Sequence, residues 1–256
     1  MTSQPGSESA DAARSDVLLV ERHDDRVVAT LNRPDQRNAI NKATIDALHL
    51  LCAQLEVVPK TLILTATGGN FAGGADIAEL RDRRAKEAKE GINLMAFRRI
   101  HALPMPVIAA LDGYALGGGA ELAYAADIRI ASAGLVIGNP EPGLGIVAAA
   151  GATLRLPAIV GHARAAEMLL TGRLLNADEA FACGLITAIV DDPFAEAHAI
   201  ADRIAKLEPR AVQHTKTLLR TPPVDQPELI GELQAELFES DAKMRRMTAF
   251  LERKNR

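Results

Sequence analysis

Apolar residues recur along this chain at two spacings, and the switch between them marks out the elements. Aliphatic runs at 17–21 and 26–31 flank the polar turn His23-Asp24-Asp25, which predicts a hairpin of Val17–Glu21 with Arg26–Leu31. After the irregular segment NRPDQRNAIN, Ile45, Leu48, Leu51 and Leu55 fall at helical spacing, so Asn41 caps a helix running to about Glu56, ended by Pro59. The continuous apolar runs TLILTA (61–66) and PVIAAL (106–111) read as strands buried on both faces. Between them the pattern predicts one charged helix from about Asp82 to His101, with Ile92, Met95 and Phe97 in its second half. AELAYAA (120–126) starts another helix, and DIRIAS and LVIGNP are strand-like. Helical spacing then dominates at 161–171, 177–183, 193–207, 209–220 and 226–252, with LITAIV (185–190) as one late strand. The expectation is an α/β core over 16–195, a C-terminal helical region over 196–256, and a disordered polar tail over 1–15.

Composition narrows the partners. The chain is 48% hydrophobic but only 3% aromatic, with no Trp, so close packing by small side chains is expected. A formal charge of −4 gives no electrostatic reason for nucleic acid or a membrane surface. No run reaches the ~20 apolar residues of a membrane span, and the N-terminus lacks the basic and apolar blocks of a secretory signal, so a cytoplasmic location is expected. Cys52 and Cys183 lie far apart and read as reduced, buried thiols; six scattered histidines without metal spacing predict no metal site.

Chemistry concentrates between Phe71 and Glu141. Two glycine loops, around Gly73-Gly74-Ala75 and Gly117-Gly118-Gly119, each lead from an apolar strand towards a helix start. Such junctions leave backbone N–H groups without intrahelical partners, able to stabilise an oxyanion; the plain alternative is that the glycines only permit tight turns. Neither loop matches a nucleotide-binding pattern. Glu121 sits in the first turn of an apolar helix. It is read either as a buried carboxyl with raised pKa or as an acid favoured by the helix dipole. Glu141, held between Pro140 and Pro142, is either an aimed carboxylate or an exposed turn residue. Asp76, three residues before Glu79, suits a capping box, and RDRRAKEAKE (81–90) a solvated helix face.

These segments resemble the crotonase (enoyl-CoA hydratase/isomerase) superfamily, most closely its enoyl-CoA hydratases. The resemblance runs through LNRPDQRNAI (31–40), FAGGADIAEL (71–80), PVIAALDGYALGGGAELAYAADIRIA (106–131), GNPEPGLG (138–145) and LLTGRLLNADEAFACGLI (169–186). It implies a spiral of ββα units, a helical C-terminal region used in forming trimers or dimers of trimers, and an acyl-CoA substrate without a further cofactor. Carried over, the oxyanion-hole donors are the amides of Ala75 and Gly118. The catalytic pair is Glu121, activating water at C3, and Glu141, protonating C2. Arg37, Asp76 and Ile77 border the CoA moiety. The sequence departs from the family at Ala148, Ala149 and Ala152, where Pro-Gly and a further Gly are usual, which implies a reshaped wall beside the water. It also departs at Ala78, where a basic residue is frequent; Arg253 and Lys254 then become candidates for a CoA phosphate. Met95 and Phe97 are candidates for lining the acyl tunnel. Two other readings stay open: an enoyl-CoA isomerase or other acyl-CoA enzyme using one glutamate, and a non-catalytic binding protein of the same fold, for which the charge argues against RNA.

Overall fold

The computed structural model describes residues 16–254, so the expected tail at 1–15 lies outside it. The chain opens with the hairpin β1 (Leu18–Arg22) and β2 (Arg26–Leu31), paired in the register Leu18↔Leu31. Helix α1 (Lys42–Val57) follows, its N-cap Asn41 accepting from Thr44 N at 2.9 Å, and then β3 (Thr61–Ala66).

The expected single helix at 82–101 is three: α2 (Ile77–Asp82), α3 (Ala85–Glu90) and α4 (Ile92–Ala102). Arg83 is extended, and Gly91, at φ 60°, ends α3 and begins α4, a left-handed conformation that glycine adopts freely.

Next come β4 (Val107–Leu111), β5 (Tyr114–Leu116), α5 (Gly118–Tyr124), β6 (Ile128–Ala131) and β7 (Val136–Gly138). The second half contains α6 (Ala152–Val160), α7 (His162–Thr171), β8 (Leu174–Asn176), α8 (Ala177–Ala182), β9 (Ala188–Ile189) and α9 (Pro193–Ala205). It closes with α10 (Pro209–Arg220), α11 (Gln226–Phe238) and α12 (Asp241–Lys254). The expected helix at 226–252 is therefore broken near Glu239, and the late strand is only two residues long.

Six strands form the main sheet in the order β1-β2-β3-β4-β6-β9, antiparallel at the hairpin and parallel from β2 onwards. Its inner strands β2, β3, β4 and β6 are buried on both faces, and their alternation sorts the core into two. Val27, Leu62, Leu64, Val107 and Ala109 join the larger core beneath α1 and α4, with Leu48, Leu51, Phe97 and Ile100. Val28, Ile63, Ile108 and Ile130 face the other way, onto Ala197, Ile200 and Ala201 of α9. Helix α9 thus belongs to the core, and the 195/196 division falls inside it. Many of the contacts in the larger core come from alanines, including Ala115, Ala120, Ala123 and Ala125, in keeping with the scarcity of aromatic residues. Cys52 is fully buried and Cys183 only half-buried. Among the described residues, no helix is long and apolar enough to cross a membrane, and no cluster of His, Cys, Asp and Glu could hold a metal ion.

A second, three-stranded sheet, β5-β7-β8, positions the site. β5 and β7 run parallel, placing Leu116 opposite Gly138, so both strands end at the same edge. The loop after β3 lies along the free side of β5, through a parallel bridge of Ala72 with Ala115.

Candidate active site

Three chain segments converge at that edge. Leu116 N donates to Ala72 O at 2.9 Å, and Gly117 N donates to Gly138 O at 2.8 Å, so the turn before α5 is held between the 71–75 loop and the 138–141 segment. Gly117 has φ 49° and ψ −121°, a conformation closed to residues with a Cβ, and this lets β5 turn abruptly into α5. At Gly119 the constraint is contact: a Cβ there would lie 2.3 Å from Ala72 O.

The two glycine loops meet. Ile40 N donates to Gly74 O at 2.8 Å and Asp76 N donates to Ile40 O at 2.9 Å, which aims the intervening Ala75 N–H away from Ile40. On that side a Cβ built on Gly118 would stand 3.3 Å from Ala75 N. Gly118 opens α5, where amides have no intrahelical acceptor, and the helix dipole adds positive potential. Two amides from segments more than 40 residues apart thus border one space able to hold a carbonyl oxygen as it gains negative charge.

Both glutamates are buried, Glu121 at 2% exposure and Glu141 at 7%. Glu121 Oε1 accepts from Ala150 N at 2.7 Å and Ala152 N at 3.0 Å. Burial nevertheless dominates and pushes its carboxyl up to about 7, with the nearby charge of Glu141 adding to the rise. Glu141 begins a 3-10 turn (Glu141–Leu144) beside Gly117, where a built Cβ would sit 3.0 Å from its Oε1. That oxygen accepts from Asn139 Nδ2 at 3.4 Å, while Oε2 is buried without a protein partner. Burial raises this carboxyl also. Of the alternatives left open by the sequence, the structure takes the buried carboxyl over the exposed turn for Glu141, and a raised pKa for Glu121 despite its helix N-terminus.

The unusual run at 148–152 does not disturb the support of Glu121, because the donors are main-chain groups of Ala150 and Ala152, present whatever the side chain. Gly151 between them has φ 125°, and a Cβ there would strike the Arg155 guanidinium at 1.9 Å. Buried Arg155 donates to Ala150 O at 3.3 Å, and its charge favours the ionised form of Glu121.

Other expected residues surround this centre. Arg37, exposed and left-handed at φ 50°, places its guanidinium 5.9 Å from the centroid of the Tyr114 ring. Its carbonyl accepts from Gly73 N at 2.7 Å, tying it to the first glycine loop. Asp76 does cap α2, accepting from Ala78 N at 3.2 Å, but Glu79 does not complete a box; it accepts instead from Lys42 N at 2.8 Å. The other Asp76 oxygen pairs with Arg33 at 3.0 Å, so its side chain is occupied, while Ile77 is 57% exposed. Arg253 is exposed on α12, and the side chain of Lys254 lies outside the described residues.

The candidates for an acyl tunnel separate. Phe97 is fully buried in the main core, and Met95 lines an open cleft of about 670 Å³ with His49, Arg98, Arg99, His101, Ala102 and Arg220. The α4 side chain that reaches Gly118 is Asn93, unnoticed in the sequence. Asn139, which receives a hydrogen bond from Tyr124 Oη at 3.1 Å while donating to Glu141, was also missed. Its position two residues before Glu141 was the available signal; its link to Tyr124, 15 residues away, depends on β7 returning beside α5.

A family model described as "Enoyl-CoA hydratase/isomerase" matches residues 23–256. The chain is 36% identical over 248 residues to the crotonyl-CoA hydratase of Syntrophomonas wolfei, covering 93% of this chain and 95% of that one. It is 35% identical over 252 residues to the short-chain-enoyl-CoA hydratase of Clostridium acetobutylicum, with the same coverages. A crystal structure of enoyl-CoA hydratase from Bacillus anthracis superposes with a TM-score of 0.87 at 30% identity, covering 93% of this chain and 96% of that chain. The whole described fold and nearly the whole sequence are shared, and the chain belongs to the enoyl-CoA hydratase/isomerase family.

Proposed function

We propose that this protein is an enoyl-CoA hydratase, a lyase adding water across the 2,3-double bond of a trans-2-enoyl-CoA thioester. The observation that carries the reading is the pair of buried carboxyls, Glu121 and Glu141, beside the turn where the Ala75 and Gly118 amides meet. The thioester oxygen accepts from those two amides, which draws electron density out of the double bond and makes C3 electrophilic. Glu121, ionised and held by Ala150 and Ala152, takes a proton from water as its oxygen bonds to C3. Glu141, whose Oε2 is buried without a protein partner and faces the same space, serves as the acid of the pair and delivers a proton to C2. One C–O and one C–H bond form, the π bond is lost, and the two carboxyls exchange charge until solvent resets them.

Coenzyme A enters as part of the substrate, and no step calls for a further cofactor. Arg37 and the backbone from Ala75 to Ile77 line its approach. Exposed apolar side chains on α10, α11, α12 and the turn joining α10 to α11, among them Leu219, Val224, Phe238, Met247 and Phe250, form the contact of a homotrimer or a dimer of trimers. The protein acts in the cytoplasm, on acyl thioesters such as those of fatty-acid metabolism. A hydration assay with crotonyl-CoA tests the reading. Glu121→Gln and Glu141→Gln should each lower kcat on the order of 10²–10⁴-fold, and full hydration by either variant would refute the two-carboxyl mechanism.

A further inference from the structure

Tyr124, at the end of α5, and Asn139, directly after β7, are both fully buried, although each carries polar atoms. Asn139 Nδ2 lies 3.5 Å from Gly117 O and 3.4 Å from Glu141 Oε1. A backbone carbonyl only accepts, so the amide atom facing Gly117 must be the nitrogen, which leaves Oδ1 facing Tyr124. There the Tyr124 hydroxyl donates to it at 3.1 Å. Burial pushes this phenol up, so it keeps its proton and stays a donor at neutral pH. Glu141 Oε2 is in the opposite condition. Among the described residues it is the one buried side-chain nitrogen or oxygen without a hydrogen-bond partner.

Hydrogen bonding therefore runs in one direction, from Tyr124 through Asn139 to Oε1 of Glu141. A neutral carboxyl has a single O–H, and an amide N–H aimed at Oε1 opposes a proton on that oxygen. We propose that Tyr124 is a positioning residue for the hydration: acting through Asn139, it holds the acidic proton of Glu141 on Oε2. The inference rests on the hydratase reading, which makes Glu141 the acid of the pair. In that step the Oε2–H bond breaks, the electron pair of the thioester enolate forms the C2–H bond, and a carboxylate remains. Asn139 Nδ2 then donates to the carboxylate, which lowers the cost of giving up the proton. Without the hydroxyl, Asn139 Oδ1 is buried with no donor, and turning the amide over becomes favourable. Oδ1 then accepts from a proton on Oε1 and retains it beside Asn139. Gly117 O resists the turn, so the loss is partial.

The full-length protein is assayed with crotonyl-CoA. Tyr124→Phe keeps the buried ring and removes only the hydroxyl, and it should lower kcat on the order of 10-fold with KM unchanged. A second readout follows deuterium entering C2 of butyryl-CoA in D2O. This saturated thioester cannot be hydrated, and its exchange calls on Glu141 and not on Glu121. Exchange should slow by a similar factor. Asn139→Leu should lower kcat at least as much, and adding Tyr124→Phe to it should cost nothing further. Loosened packing of α5 would instead add its own loss to that of Asn139→Leu. The inference is overturned if Tyr124→Phe keeps the wild-type kcat and exchange rate, if its loss appears in KM, or if the two losses multiply. A wild type that exchanges but does not hydrate, with Tyr124→Phe slowing the exchange, would uphold it and overturn the hydratase reading instead. A wild type that does neither overturns both.

Discussion

Glu121 is the residue on which stability and chemistry pull in opposite directions. Its carboxyl titrates near 4.5 in an unfolded chain and about 7 when buried, so folding favours the protonated form. Its contribution is fully present below pH 4.5 and is lost as pH rises through 7, at a cost of about 3 kcal/mol above that point. Glu121→Gln removes the ionisation while keeping an oxygen for Ala150 and Ala152. Thermal unfolding should therefore show the variant more stable than the wild type at pH 8, with the two converging towards pH 5, although its hydration activity is lost. The same shift places the acid limb of kcat/KM near pH 7, where Glu121 must lose its proton. A profile flat from pH 5 to 8 would contradict this assignment. Gly119 is a purely steric counterpart. Gly119→Ala drives a methyl group against Ala72 O and should cost on the order of 1–3 kcal/mol in denaturant unfolding, with a drop in kcat as the two amides separate.

At the scale of elements, the small sheet rather than the large one assembles the site, since β5 and β7 end together and carry Gly117 and Glu141 to one edge. The C-terminal helices are tied to this core by a buried cation. Lys216 on α10 pairs with Asp127 at 2.6 Å and donates to Met105 O at 2.9 Å, while Asp127 also accepts from Val107 N at 2.7 Å. Lys216→Ala leaves Asp127 without its cation, and unfolding should show a loss of about 2 kcal/mol, below the cost of a wholly buried pair because Asp127 is partly exposed. Much of this element level was readable in advance. Periodicity found the hairpin, α1, β3 and β4. It missed the division of 82–101, because the charged run before Gly91 carries no apolar period whose interruption could be read, and the breaks lie in backbone dihedrals, extended at Arg83 and left-handed at Gly91. It also treated 81–90 as a single charged face, whereas the extended backbone at Arg83 turns that side chain inward.

On the scale of the whole molecule, α10 to α12 leave a large apolar surface exposed: Leu219 and Val224 are each more than 80% accessible, and Phe250 is 67%. For the proposed trimer or dimer of trimers, light scattering should give three or six times the monomer mass. Phe250→Asp together with Leu251→Asp should lower that mass; a wild type that is monomeric would refute the assembly. The linear order of residues determined the alternation of strand and helix, the two glycine turns and the acids that follow them. Those features depend on nearest neighbours and on the absence of a Cβ, which are local properties. Tertiary structure alone decided that Ala75 and Gly118 share one space, that Ala150 and Ala152 support Glu121, and that Asn93 looks onto the glycine turn. Hydrogen bonding and desolvation act through distance in space, and the pairing of β5 with β7 and with the 71–75 loop sets those distances. No spacing along the chain encodes them.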